Sequence, residues 1–449
     1  MNANVVRPAD SSADKLDVLI VDWHGGLRGK RLPASMRDKI LGGEARMPLS
    51  TQAMDIWGDD QDSITKLALS QGDPDGVCIP ASSGFYPQPW NSSHEQIICS
   101  LHTLSGAPSE FDVRAILQKQ VNALALEGLH AVVAVELEFY LLDGSTRTTG
   151  QPRIPDQLTI AGSPNELQLY DMRTMDRVEE VISRIHSYAQ ALDIPAETTL
   201  AEFGPGQFEI NLKHQSNPVL AADHAVLFKQ IVDRAAQKSG LVASFMAKPY
   251  TEHGGSGQHV HVSLLDDKGA NILDTDSRDR QSNLLFAVAG CIEHLKASQL
   301  VLAPHGNSYR RLQPENFAPV RCDWGYDHRG VAVRLPETQG AAARLEHRVA
   351  GADANSYLVL TIILASILAG LKNARQPAIQ ALMPGESASA EFLTHDWLTA
   401  IDHFEASPWI TETLGEHFCT VYSRIKRHEA QTYNRQVSDV DLKTYLSRV

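Results

Sequence analysis

Residues 133–139 read Val133-Ala134-Val135-Glu136-Leu137-Glu138-Phe139, a strict alternation that fixes a strand and divides it into two faces. Glu136 and Glu138 point one way, and Val135, Leu137 and Phe139 the other. Four later segments repeat the device. In Gln207–Leu212, Gln207, Glu209 and Asn211 oppose Phe208, Ile210 and Leu212. In His259–Leu264, His259, His261 and Ser263 oppose Val260, Val262 and Leu264. In Val331–Leu335, Arg334 opposes Val333 and Leu335. In Arg344–Val349, Arg344, Glu346 and Arg348 oppose Leu345, His347 and Val349. A solvated sheet face would carry Lys, Thr and Ser. These faces carry Glu, His and Arg, with Gln, Asn and Ser. Two carboxylates at i, i+2 repel unless a cation lies between them, and Arg-x-Glu-x-Arg sets anion binders beside a metal-type ligand. The five strands predict a polar, metal-containing cleft on a sheet.

The donor types favour a hard divalent cation, Mg²⁺ or Mn²⁺, with one imidazole compatible with Mn²⁺. Clustered arginines suit phosphate, whose oxygens the guanidinium fork matches. Metals with phosphate-binding arginines indicate phosphoryl transfer from a nucleotide. Gly254-Gly255-Ser256-Gly257 lacks the Lys-Ser/Thr of a Walker A loop. His259-Val260-His261 has the H-x-H form of metal-dependent amidohydrolases, but it lies mid-chain among glutamates rather than early in a barrel.

Around this centre the chain of 449 residues is long enough for two domains. Hydrophobic residues make up 43% and charged residues 21%, the balance of a globular protein. The net charge of −14 argues against nucleic acid as a partner. The five cysteines form no C-x-x-C pair, which points to reduced thiols and a cytoplasmic protein. Met1 to Asp14 has no apolar stretch for a signal peptide. The apolar run Tyr357–Leu371 is too short to span a bilayer and reads as a buried helix, so no membrane association is expected. Residues 1–15 read as a flexible tail, 16–107 as a small N-terminal domain of short strands, and 108–449 as a large C-terminal domain. Ser105-Gly106-Ala107-Pro108 marks the boundary. An amphipathic helix is predicted over Val113–Leu126, and Leu393, Trp397, Ile401 and Phe404 recur at the spacing of another.

A set of motifs resembles the glutamine synthetase family. It comprises Glu136-Leu137-Glu138-Phe139, Glu202 with Pro205-Gly206-Gln207-Phe208-Glu209, and Lys248-Pro249-Tyr250 leading to Gly255-Ser256-Gly257-Gln258-His259-Val260-His261. Asn307-Ser308-Tyr309-Arg310-Arg311-Leu312, Arg344-Leu345-Glu346-His347-Arg348 and Ala354-Asn355-Ser356-Tyr357-Leu358 follow in the family's order. The resemblance implies an α+β fold: a small β-grasp-like N-terminal domain and a large catalytic domain with a curved antiparallel sheet. It also implies a homo-oligomer, a dodecamer of two stacked hexameric rings. It assigns one metal to Glu138, Glu202 and Glu209, and a second, on the nucleotide side, to Glu136, His259 and Glu346. It assigns ATP phosphates to Arg329, Arg334 and Arg344 with His261 and Ser263, and glutamate to Arg311, Arg348 and the Gly255 loop. Arg329 and Glu346 are the implied catalytic residues.

Family members that use ammonia carry an acid in a Pro-Gly-Tyr-Glu-Ala-Pro stretch. Here Pro314-Glu315-Asn316-Phe317-Ala318-Pro319 puts Phe317 in its place. An N-terminal aspartate of the family is missing from Met47-Pro48-Leu49-Ser50-Thr51. An aromatic residue suits the alkyl body or charge of a larger amine. Val133–Asp143, Phe245–Tyr250 and Arg348–Asn355 are similar to the γ-glutamylputrescine synthetase group, as are Arg28-Gly29-Lys30-Arg31 and Trp324-Gly325. The implied reaction is ATP-dependent ligation of the glutamate γ-carboxylate to putrescine or another polyamine. Phe317 is then an amine-contacting residue, with Asp55, Trp57 and Glu315 as candidates for the second ammonium. The alternatives are an ammonia-using glutamine synthetase and a non-catalytic protein that keeps the scaffold. The Asn-Leu-Tyr-Asp adenylylation segment of some bacterial members is absent from 373–390, so that regulation is not expected.

Overall fold

A computed structural model describes residues 13–158, 168–277, 280, 282–314, 317–383, 385–386 and 389–449. The first twelve residues of the expected tail lie outside the described residues, and Lys15 already belongs to β1 (Lys15–Val21). β1 pairs antiparallel with β2 (Leu27–Pro33). Asp22 shapes the connecting turn, accepting from the His24 amide at 3.0 Å and the Gly26 amide at 2.8 Å. With β3 (Arg46–Pro48), β4 (Asp75–Pro80), β5 (Tyr86–Pro87) and β6 (His94–His102), these strands form a 6-stranded sheet in the order β2-β1-β6-β4-β3, with β5 on β6. β1 and β6 run parallel. The alternation of β1 buries Leu16, Val18 and Ile20 against Ile97 and Leu101.

The second sheet has 8 strands. They are β7 (Leu129–Asp143), β8 (Ala196–Ala201), β9 (Gln207–Leu212), β10 (Leu241–Ser244), β11 (Gln258–Asp266), β12 (Trp324–Tyr326), β13 (Val333–Glu337) and β14 (Arg344–His347). The order is β12-β13-β14-β11-β7-β9-β8, with β10 also on β7. The apolar face of β7 packs with Phe208 and Ile210 under helices Met172–Ala191 and Pro218–Lys238. Val133, Val260, Val262 and Leu345 join a core shared with helices Val113–Leu126, Asn283–Leu302 and Ser356–Asn373. The opposite face is left free for chemistry.

The sheet departs from the expected antiparallel pattern at β12 and β13, which pair in parallel. Asp323 causes this. Its carboxylate accepts from the Ala332 amide at 2.9 Å and its carbonyl from the Val333 amide at 3.1 Å, returning the chain to the start of β12. Val331 and Ala332 therefore precede β13, and Arg348 and Val349 lie beyond β14.

Helix Val113–Leu126 spans the expected residues and starts where Asp112 accepts from the Ala115 amide at 2.8 Å. Helix Ser356–Asn373 is capped by Asn355. It is longer than the apolar run suggested. By length and composition both it and Asn283–Leu302 could cross a membrane, yet both are packed inside the protein. Their backbones touch: a Cβ on Gly290 would lie 2.0 Å from the Ser366 carbonyl oxygen. The helical spacing counted from Leu393 begins too early. Asp396 caps the helix Trp397–Glu405, and Leu393 is held before it by a hydrogen bond from its amide N–H to the Val320 carbonyl at 2.9 Å.

Candidate active site

The registers bring the chemical faces of five strands together. β7 sets Glu136 opposite His259 of β11 and Asn211 of β9, and Glu138 opposite Glu209 of β9. β14 sets Glu346 between His261 of β11 and Arg334 of β13. His259 is the hub. Its Nδ1 lies 3.4 Å from Glu136 and 4.0 Å from Glu346, and its Nε2 lies 3.9 Å from Glu138. Donor atoms of Glu136, His259 and Glu346 lie within 4.8 Å of one another, as do those of Glu138, Glu209 and His259.

Holding so many carboxylates together has an electrostatic cost. Burial and repulsion from Glu136, Glu138 and Glu202 push the Glu209 carboxyl up to about 9. Burial and Glu138 push Glu202 up to about 7. Burial also raises Glu136, but bonds from His259 and His261 outweigh it and hold that carboxyl well below its usual range. At Glu346, burial is outweighed by the nearby Arg348, His259 and His261 charges, and the carboxyl is lowered. Such a cluster fits a divalent cation, because oxygen donors with one shared imidazole are the ligand set of Mg²⁺ or Mn²⁺. The buried Oδ1 of Asn211, beside Glu136, has no hydrogen-bond partner among the described residues.

Two cavities flank the cluster. The larger, of about 1170 Å³, meets Glu136, Asn211, His261, Ser263 and Arg344. The smaller, of about 190 Å³, meets Glu138, Glu202, His259, Arg311, Phe317 and Arg348, with Gly255 also on its wall. Arg311 is buried and donates to the Val349 carbonyl at 2.8 Å. Arg348 donates to Glu346 and, at 3.0 Å, to the Arg329 carbonyl. Arg334 bonds Glu346 at 2.7 Å and Asp327 at 3.1 Å. Arg329 is exposed, and its charge partly offsets the rise that burial and Glu138 impose on the Glu202 carboxyl. Neither Arg329 nor Arg334 lines either cavity. Arg344 lies 3.3 Å from His261, and Ser263 donates to the Ala343 carbonyl at 2.8 Å.

The candidates for a second ammonium fare differently. Asp55 is buried, and its carboxylate is taken by the Trp57 and Asp59 amides at 3.0 and 2.9 Å and by Gln61 at 2.8 Å. It is a loop-shaping residue here. Trp57 is exposed and lines neither cavity, and Glu315 lies outside the described residues.

Three neighbours of the cluster were not among the sequence candidates. Asn211 donates to Glu136 at 2.9 Å and Gln207 to Glu138 at 3.4 Å. Both share the chemical face of β9, and that alternation was the available signal. Phe203 stacks on Phe317 with ring centroids 4.5 Å apart. Nothing local in either segment announces that pairing.

The family model "Glutamine synthetase, catalytic domain" matches residues 110–445. The chain is 37% identical over 437 residues to the γ-glutamylputrescine synthetase of Escherichia coli, covering 96% of this chain and 91% of that protein. It is 30% identical to a glutamate–isopropylamine ligase of a Pseudomonas species, over 86% and 84% of the two chains. The ligand-free structure of GmaS superposes with a TM-score of 0.83 at 27% identity, covering 98% of both chains.

Proposed function

The chain belongs to the glutamine synthetase family of ATP-dependent ligases, and we propose that it joins the γ-carboxylate of glutamate to putrescine or another polyamine. The observation that carries the choice of amine is the Phe203–Phe317 stack on the wall of the smaller cavity. Ammonium needs a small, acid-lined hole, whereas an aromatic pair contacts a methylene chain and a neighbouring cation. The similarity to the E. coli enzyme supports the same amine class.

In this reading Glu138, Glu202 and Glu209 hold one divalent cation, and Glu136, His259 and Glu346 hold another. Bound cations offset the charge on the transferred phosphoryl group. ATP occupies the larger cavity, with Arg344, His261 and Ser263 toward its phosphates. Arg311 and Arg348 orient glutamate in the smaller cavity beside the Gly255 loop. Arg334 and Arg348 grip Glu346 from both sides and fix its orientation. Arg329, close enough to Glu202 for its charge to be felt, folds onto the phosphoryl group.

A carboxylate is a poor acyl donor because its leaving group would be oxide. Its γ-oxygen therefore attacks the γ-phosphorus of ATP, ADP departs, and γ-glutamyl phosphate forms. The neutral amine attacks the acyl carbon, the C–O bond breaks, phosphate leaves carrying that oxygen, and the new amide nitrogen sheds one proton. The same reading takes 16–107 and 108–449 as the two domains and the assembly as a cytoplasmic dodecamer.

The test is glutamate-dependent phosphate release from ATP with Mg²⁺ across ammonium, ethanolamine, putrescine, cadaverine, spermidine and spermine. Release with a diamine or polyamine well above that with ammonium is expected. Release with ammonium alone would overturn the choice of amine, and silence with every amine would overturn the ligase reading.

A further inference from the structure

The smaller cavity has one charged group that the assignments above leave unused. Glu252 stands on its wall together with Phe203, His253 and Phe317. Its side chain is exposed, and no hydrogen bond or ion pair among the described residues engages its carboxylate. The nearby Lys248 directs its ammonium to the His253 carbonyl instead.

The loop that carries Glu252 is fixed from below. Tyr140 donates its hydroxyl to the Gly254 carbonyl at 2.7 Å, and Gln207 donates to the Gly255 carbonyl at 3.1 Å. The His253 ring packs edge-on against Tyr250 at 5.3 Å. Gln207 also reaches Glu138, so one side chain ties the loop to the cluster. A carboxylate with no hydrogen bond or ion pair among the described residues, felt by Lys248 and His253 only through its charge, borders the same cavity as an aromatic pair and is the complement of an alkyl chain that ends in a cation.

We propose that Glu252 receives the distal ammonium of a diamine while Phe203 and Phe317 contact its methylene chain, which makes Glu252 a specificity-determining residue. This rests on the diamine reading above and adds the residue that separates a diamine from a monoamine of equal length. A monoamine can use the aromatic wall but offers nothing to the carboxylate.

The experiment compares putrescine with n-butylamine, which differ only in the distal ammonium. Purified full-length wild type, Glu252→Gln and Glu252→Asp are assayed for product formation with saturating ATP, Mg²⁺ and glutamate. In the wild type kcat/KM should favour putrescine. Glu252→Gln should reduce the putrescine-to-butylamine ratio of kcat/KM about tenfold, the scale of one charge-assisted hydrogen bond, mainly through KM for putrescine. Glu252→Asp should recover part of it. A wild-type preference that survives unchanged in Glu252→Gln overturns the role of Glu252 and leaves the diamine reading standing. A wild type with no preference for putrescine over butylamine overturns both.

Discussion

Replacing Asn211 by alanine tests whether the Glu136 side of the cluster is a metal site. Asn211 lies opposite Glu136 in register and donates to its Oε1 at 2.9 Å. The same oxygen lies 3.0 Å from His261 Nε2, so Asn211 and His261 together point the carboxylate at His259. Removing the amide deletes one hydrogen bond to a charged group, worth roughly 1.5–3 kcal/mol. That corresponds to a loss in metal affinity of about tenfold to a hundredfold, the range found when outer-shell partners of metal ligands are removed. The fold should tolerate the change, because Asn211 is half-buried and its Oδ1 has no partner to lose. Calorimetric titration of metal-stripped protein with Mn²⁺ reads the affinity directly. Asn211→Ala with a dissociation constant within about twofold of wild type would refute the assignment, since a carboxylate oriented for a cation must feel the loss of its orienting bond.

Three other outcomes follow from the same geometry. Glu202 and Glu209 have carboxyls raised from 4.5 to about 7 and about 9 by burial and repulsion from neighbouring carboxylates, Glu138 acting on both. The unfolded chain ionises them first, so the metal-free protein pays a growing penalty as pH rises above 4.5, complete only above the folded values. The gain in Tm on adding Mg²⁺ should therefore be larger at about pH 8 than at about pH 5.5, and equal gains would contradict the charge-excess account. Lys426 and Glu429 are fully buried and paired at 2.9 Å, Lys426 also meeting His24 Nδ1 at 3.2 Å. Lys426→Met should cost about 3–5 kcal/mol in urea unfolding, and pairing it with Glu429→Gln should recover part of that loss. Phe317→Glu restores an acid at the aromatic wall, and phosphate-release assays should show ammonium use rising relative to putrescine; an unchanged ratio would remove Phe317 from the amine subsite.

The chemistry of the site was legible wherever it is written at a period of two. Glu136, Glu138, Glu209, His259 and Glu346 follow from alternation within single strands, and the structure brings all five to one cluster. What alternation cannot supply is which strand lies beside which. The contact of Asn211 with Glu136 depends on β9 pairing with β7 in one register. The Phe203–Phe317 stack joins loops far apart in sequence. The partners of Asp55 were out of reach of the sequence for a related reason. Its acid reads as available until the loop closes on it and spends both oxygens on nearby amides. Element ends drifted where a side chain holds the flanking backbone: Asp396 starts a helix after Leu393, and Asp323 holds the Ala332 amide just before β13.

The most direct measurement follows the γ-carboxylate oxygen itself. Glutamate labelled with ¹⁸O in its γ-carboxylate is incubated with ATP, Mg²⁺, putrescine and the protein, and both products are weighed by mass spectrometry. The expected result is γ-glutamylputrescine retaining one labelled oxygen and phosphate carrying the other. Unlabelled phosphate would mean that ATP is cleaved without activating glutamate, and labelled phosphate without an amide product would mean that putrescine does not intercept the acyl phosphate; either result would contradict the proposed reaction.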